Sequence, residues 1–304
     1  MADPLVLVVI LNWNGGADTL ACLESLSHVD YPSFQVVVID NGSVDGSGDA
    51  IKAAYPEVNL VASPQNLGFA GGNNIGLELA RWANASYVLL LNNDTLVAPD
   101  FLSLLVQCAE ASPDIGVVGP VIRYAGKPDT IWSAGGAIDW VSGSTSMVGM
   151  DEKDVSQYGL LPRRVDFVTG CALLARVKAV EEAGPLDVHF FAYYEEAEWQ
   201  LRIARKGYRT MVVPGAKIWH KITPERRAAS PLVQYYMTRN RLLFLKLAGA
   251  GWKAWVHTLF FDYFRTWLSW SLRPKWRGMR AQRRALVDGI SDYFSGAWGQ
   301  AHRW

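Results

Sequence analysis

The chain has 304 residues, half of them hydrophobic, and 29 Lys+Arg balance 29 Asp+Glu. That length and apolar content exclude a disordered segment and allow one large core, or one domain with an appendage. The neutral total hides an asymmetry, because Pro231 to Trp304 carries 12 Lys+Arg against 3 Asp+Glu and 7 of the 13 Trp, so an acidic body bears a basic tail.

Leu5 to Leu11 is a continuous β-branched and aliphatic run closed by Asn12-Trp13-Asn14-Gly15-Gly16, the pattern of a buried parallel strand ending in a loop. It has no positive flank and no small-residue cleavage pattern, so a strand is expected and not a signal peptide. A helix follows with Leu20, Leu23 and Leu26 on one face. The alternation then repeats: strand Gln35 to Ile39, helix Gly48 to Ala54, strand Val58 to Val61, helix Gly71 to Ala83, strand Tyr87 to Leu91, helix Pro99 to Ala111, strand Gly116 to Val118. Such alternation predicts an α/β fold, a mostly parallel sheet with helices on both faces. From Gly119 to Arg164 the pattern is short, Gly-rich and aromatic, which suggests hairpins or an excursion over the site. Val165 to Ala175 is then expected as a strand, Glu195 to Lys206 as a helix closed by Gly207, and Tyr208 to Val213 as a strand ending before Pro214. Cys22, Cys108 and Cys171 each lie in an apolar run and are expected as buried thiols in a reducing compartment.

In sheets of this kind ligands bind beyond the carboxyl ends of the strands, and the loops there are polar. Asp40 opens Asp40-Asn41-Gly42-Ser43, where its carboxylate could accept from a ribose or base, or simply start an Asx-turn. Asn66-Leu67-Gly68-Phe69-Ala70-Gly71-Gly72-Asn73-Asn74 joins glycines to amides ahead of a helix, whose free amide protons suit a phosphate or sugar hydroxyl. It is neither GxGxxG nor GxxxxGK[ST], which counts against hydride transfer and P-loop chemistry. Asn92-Asn93-Asp94 follows a hydrophobic strand. Its one carboxylate could bind Mg²⁺ or Mn²⁺ shared with substrate phosphates, or be a solvated turn residue.

In this order, the three loops resemble the inverting glycosyltransferases of family 2, which have the GT-A fold, and most closely the bacterial rhamnosyltransferase-like members that extend cell-envelope polysaccharides. The resemblance covers about residues 5 to 245. It implies nucleotide contact at Asp40, with Asn12, Asn14, Asn41, Asn66, Gly68, Gly71, Asn73, Asn92 and Asn93 on the donor side. It also implies a divalent metal (Mn²⁺ or Mg²⁺) at Asp94, with His220 near it. Glu195-Glu196, preceded by four aromatics, resembles the family's Glu-Asp segment, so Glu196, or Glu195 beside it, would be the base that deprotonates the acceptor. Acids at a helix start are also favoured by the helix dipole alone. Thr169-Gly170-Cys171, Tyr194 and Trp199 would line the acceptor side, and Arg239 and Arg241 could reach the diphosphate.

The expected donor is a nucleotide-diphosphate sugar, dTDP-rhamnose before UDP- or GDP-sugars, and the acceptor a glycan or polyprenyl-linked hydroxyl. A nucleotidyltransferase should carry a cation in the loop after its first strand, where this chain has none, and a catalytically inactive sugar-binding or membrane scaffold is the third reading. The catalytic domain is expected over 1–230, with a donor half to about 118 and an acceptor half from 119. A helical, Trp-rich region would fill 231–304. From Trp252 to Leu268 apolar residues recur at helical spacing, and Arg273, Lys275, Arg277, Arg280, Arg283 and Arg284 follow. That combination suits an anionic membrane surface at the cytoplasmic face, or packing against the catalytic domain or a second subunit in a homodimer. No nucleic-acid partner is expected.

Overall fold

The computed structural model describes residues 3–222, 230–301 and 303–304. The first part of the chain alternates as expected: β1 (Val6–Asn12), α1 (Gly16–Leu26), β2 (Phe34–Asp40), α2 (Ser47–Ala54), β3 (Asn59–Ala62), α3 (Gly68–Trp82), β4 (Tyr87–Asn92), β5 (Thr95–Val97) and α4 (Phe101–Glu110). The chain continues through β6 (Ile115–Tyr124), β7 (Lys127–Ser133), β8 (Gly136–Asp139), β9 (Ser144–Met147), β10 (Arg163–Val165), β11 (Ala172–Arg176), α5 (Val177–Ala183), α6 (Glu195–Arg205) and β12 (Arg209–His220).

Among the described residues the main sheet runs β10-β12-β6-β11-β4-β1-β2-β3, with β5 added to β12 and β7 to β6. β1, β2, β3 and β4 are mutually parallel, whereas β11 lies antiparallel between β4 and β6. Because side chains alternate across a strand, the unbroken apolar run of β1 feeds both faces. Val6, Val8 and Ile10 pack with Leu23 and Leu105 on one side, and Leu7 and Val9 with Leu77 and Trp199 on the other. At Gly76 an added Cβ would sit 2.3 Å from Val9, so α3 can lie this close to β1 only with glycine there.

Two expected strands are corrected. Val165 to Ala175 is not continuous, because the side-chain amide of Gln200 takes both backbone groups of Val168 and leaves no ladder for it. β10 ends at Val165 and β11 begins only at Ala172. Conversely β12 runs past Pro214, which falls within a register shift between Val213 and Lys217, one of the places a strand tolerates proline. The Gly-rich stretch after β6 forms strands, including the separate β8-β9 hairpin.

Beyond β12 come α7 (Pro231–Ala248), α8 (Trp252–Val256), a π-helical segment His257–Phe264, α9 (Arg265–Leu272), a 3₁₀ segment Pro274–Met279 and α10 (Arg280–Ser295). Ser230 caps α7 by accepting from Val233 N, with Pro231 in the first turn. The boundary expected near 230 adjoins residues 223–229, which lie outside the described residues. α7 shares an apolar cluster with the start of α6, since Leu243 and Phe244 pack with Phe190, Tyr194 and Ala197. The apolar face expected from Trp252 onward is divided: Tyr263 is buried while Trp252, Phe260, Phe261 and Phe264 are exposed. No described helix is long and apolar enough to cross a membrane.

Candidate active site

After β3 the chain returns to the opposite side of β1, so the order of strands reverses between β1 and β4 and their carboxyl ends open into one crevice. Asn12, in register with Asp40, organises its donor end. Its Nδ2 group shares two protons among Asp40 Oδ1 (3.0 Å), Ser43 Oγ (3.1 Å) and Ser47 Oγ (2.9 Å), and its Oδ1 accepts from Thr19 Oγ1 at 2.8 Å. Asn14 takes φ of +51°, tolerable for asparagine, and joins the first two loops: its N donates to Ser43 Oγ and its Oδ1 accepts from Val44 N.

Asn41 builds the Gly-rich loop. Its Nδ2 donates to Asn66 Oδ1 and Gly68 O, its Oδ1 accepts from Leu67 N, and Asn66 Oδ1 accepts in turn from Gly68 N at 2.8 Å. These amides shape the loop, which passes into α3 at Gly68, three residues before the expected helix start. Gly71 therefore lies inside the helix, packed on Leu67, and the buried Asn73 donates to Phe69 O one turn back. Gly68 has φ of +73°, and a Cβ there would fall 2.4 Å from Phe191 O. Glycine thus lets the donor loop touch the segment that leads to α6, and Ala70 N donates to the same carbonyl at 3.2 Å.

At the end of β4, Asn93 Nδ2 donates to Thr19 Oγ1 (3.0 Å) and Asn92 N donates to Cys171 O (2.9 Å). His220, at the end of β12, puts Nε2 3.1 Å from the Asp94 carboxylate and stacks edge-on against Trp132. Asp94 Oδ1 and His220 Nδ1 are buried with no hydrogen-bond partner among the described residues. No group of three or more His, Cys, Asp or Glu able to hold a metal occurs among those residues. The residues present still fit a divalent ion of the shared kind. The half-buried Asp94 carboxylate is a hard oxygen donor with, among the described residues, only the His220 imidazole against it, and donor phosphates would supply the remaining ligands.

Glu195 and Glu196 begin α6. Oε2 of each is buried without a hydrogen-bond partner, and burial pushes both carboxyls above the usual range, Glu195 further because Glu196 stands beside it. Glu196 is the less buried of the two, and the N–H groups of Gly170 and Ala197 partly offset its shift. Gly170 in turn rests on Phe69, where a Cβ would lie 2.6 Å from the ring. The Gly-rich loop, the turn before β11 and the two carboxylates are therefore contiguous. The segment before α6 is strained: Phe191, Tyr193 and Tyr194 all have positive φ, between +65° and +73°. Such conformations cost on the order of 1–3 kcal/mol each and persist where surrounding structure imposes them.

Several expected site residues are placed elsewhere. Trp199 is fully buried and donates from Nε1 to Gly184 O, so it belongs to the core. Tyr194 packs inward on Phe244, and the exposed ring is that of Tyr193. Cys171 is buried, with its thiol pushed well up by desolvation, and Thr169 is buried at the turn before it. Arg239 is spent on the carbonyls of His189, Phe190 and Gly299, and Arg241 on Asp262 and Ser142 O, so neither reaches the donor crevice. Backbone carbonyls occupy the Arg239 guanidinium, and a carboxylate with one carbonyl occupies that of Arg241. Gln200 carries no signal in the sequence, because the backbone it holds, that of Val168, lies 32 residues earlier.

Residues 7–184 match the family described as glycosyl transferase family 2. The chain is 26% identical over 296 residues to the N-acetylglucosaminyl-diphospho-decaprenol L-rhamnosyltransferase of Mycobacterium tuberculosis, covering 90% of each chain. It is also 26% identical to galactofuranosyltransferase GlfT2 of Mycolicibacterium smegmatis, over 94% of this chain and 47% of that one. Among solved structures, a mannosyltransferase from Pyrobaculum calidifontis in complex with GDP-Man and Mn²⁺ superposes with a TM-score of 0.61 at 16% identity, over 98% of this chain and 89% of that one. GalNAc-T7 with UDP, GalNAc and Mn²⁺ gives a TM-score of 0.63 at 17% identity, over 97% and 56%. These neighbours share the GT-A fold, and with the family match spanning more than half of its length the chain belongs to glycosyltransferase family 2.

Proposed function

We propose that the protein is an inverting transferase that moves L-rhamnose from dTDP-rhamnose to a hydroxyl of a lipid-linked glycan acceptor in cell-envelope polysaccharide synthesis. The observation that carries this reading is the pair of unpartnered, buried carboxylate oxygens at the start of α6, pressed against the donor loop through Phe191 and Gly170. The donor and lipid-linked acceptor are inferred from the mycobacterial rhamnosyltransferase, similar along nine-tenths of both chains.

In this mechanism Asp40 and the Asn12 network hold the nucleoside. Glu196 takes the proton of the acceptor hydroxyl as its oxygen attacks the anomeric carbon. The bond from that carbon to the diphosphate breaks, and its electron pair leaves with the nucleoside diphosphate. A divalent ion, held by Asp94 with His220 beside it, would neutralise the departing charge. Burial raises the proton affinity of Glu196, which strengthens it as a base once it is ionised.

A thermal-shift panel tests the donor. A nucleotide at a hundredfold excess over its Kd adds about 2.7 kcal/mol to native stability. For a chain of this size that corresponds to roughly 4 °C. With Mn²⁺ present dTDP is expected to give the largest shift; a larger shift with UDP or GDP reassigns the donor.

The tail is proposed to lie on an anionic membrane. An apolar groove of about 440 Å³, lined by Leu259, Phe260, Phe264, Trp267 and Val287, opens outward. Arg265 and Arg273 line a neighbouring groove with Trp270 and Trp276. Each basic residue near an anionic surface adds about 1 kcal/mol. The protein is expected to float with liposomes containing anionic lipid at physiological salt and to stay behind with neutral ones. Failure to float with either removes the membrane from this reading.

A further inference from the structure

We infer that Asn240 and Arg239 of α7 are positioning residues that hold the strained 190–194 segment, and through it the carboxylate pair, in working geometry. The inference rests on the role proposed above for Glu195 and Glu196. Asn240 is fully buried and aims its Nδ2 group at three carbonyls, those of Phe190 (2.9 Å), Ala192 (2.7 Å) and Tyr193 (2.9 Å). Each of these carbonyls belongs to the residue immediately before one of positive φ. Left-handed backbone at aromatic residues has no intrinsic support, so the support must come from outside the segment.

Arg239 completes it. The side chain is fully buried, and no carboxylate among the described residues pairs with it. Its Nη2 donates to His189 O (3.1 Å) and Phe190 O (3.0 Å), its Nη1 to Gly299 O (2.8 Å), and its Nε to Asn240 Oδ1 (3.0 Å), which fixes the asparagine's orientation. A buried cation satisfied by carbonyls makes charge-assisted hydrogen bonds, stronger than neutral ones. Gly299 N donates back to His189 O at 3.0 Å, so residues near the end of the described chain close the same knot. On the far side, Phe191 O receives Ala70 N of the donor loop. The segment thus spans from the donor loop to the base, and α7 is what locks it.

The test compares Asn240→Ala with wild type for nucleotide binding by thermal shift, for kcat and KM, and for the pH at which kcat falls in acid. The titratable groups facing the pair are Tyr193 and Tyr194 of the segment, with Tyr236 and Arg241 of α7 beyond them. Loosening the segment admits water to the carboxylates, which lowers the proton affinity that burial had raised. The expected result is retained donor binding, a kcat lower by about 10-fold to 100-fold, and an acidic limb moved to lower pH. A purely structural role would lower the amount of folded enzyme and leave that limb where it was. An unmoved limb, or lost donor binding with the limb unmoved, overturns the inference. Should Asn240→Ala fail to fold by circular dichroism, Arg239→Lys carries the same expectation, since an ammonium cannot reach the carbonyls of His189, Phe190 and Gly299 together. A wild-type limb in that variant overturns it equally. If Glu196→Gln and Glu195→Gln both stay active, the proposed base has failed instead, and the two failures are told apart.

Discussion

Glu196→Gln is expected to lower sugar transfer by about 10²-fold to 10⁴-fold, the usual contribution of a positioned general base. Donor binding should survive, because the amide keeps the shape of the carboxyl and the nucleotide contacts lie on Asp40 and its neighbours. Glu195→Gln should cost less. The same substitutions should raise the melting temperature at neutral pH. Both carboxyls are held above the ordinary glutamate range by burial, so the folded chain prefers them protonated. Their contribution to stability is present in acid and is lost as pH rises through the ordinary range toward their raised values. A neutral amide removes that loss, the trade of stability for activity expected at an active site. Turnover in wild type should rise with pH across the same interval, as the base ionises. Full turnover by Glu196→Gln would reject the assignment, and a lower melting temperature would show that the buried charge is compensated in the folded chain.

Asp94→Ala is expected to abolish metal-stimulated turnover, a loss on the order of 10²-fold or more if charge neutralisation of the leaving diphosphate is its role. The motif offers one carboxylate, since asparagines stand at 92 and 93, and His220 would be the nearest further ligand. Donor phosphates must then complete the coordination. Calorimetry should accordingly show weak Mn²⁺ binding by the free protein and much tighter binding with a nucleoside diphosphate present. His220→Ala should weaken that ternary binding less than Asp94→Ala does. Tight Mn²⁺ binding without nucleotide, or metal-stimulated turnover in Asp94→Ala, would contradict this picture.

The donor half was legible because its physics is local. β1 and β4 are buried on both faces and so read as unbroken apolar runs, and the polar residues that end them fall at the switch point by topology alone. The acceptor half depends on distant partners. The expected strand from Val165 breaks because Gln200, 32 residues later, captures the backbone of Val168. Tyr193 and Tyr194 are identical in type and adjacent, and it is Tyr194 that packs against Phe244, far along the chain, while Tyr193 stays exposed. Arg239 and Arg241 were read as anion binders from charge, whereas the carbonyls that claim them come from a segment about 50 residues earlier and from Ser142. At Pro214, a signal that usually ends strands was overridden by the register shift in β12.

The reversed strand β11 has a consequence for exchanging specificity between relatives. It lies inside the sheet, paired with β4 on one side and β6 on the other, although it belongs to the later half of the chain. A chimera joined near residue 118 would cut through β6 and set a foreign β11 against a native β4. Leu90 and Leu173, opposite one another in that ladder and both buried, would have to be matched across the two parents. Recombination that keeps β4, β6 and β11 from one parent, and exchanges only the hairpin of β8 and β9 with the helices after β12, respects the ladder. Inheritance of the acceptor side should therefore track the sheet, not the linear order of the chain.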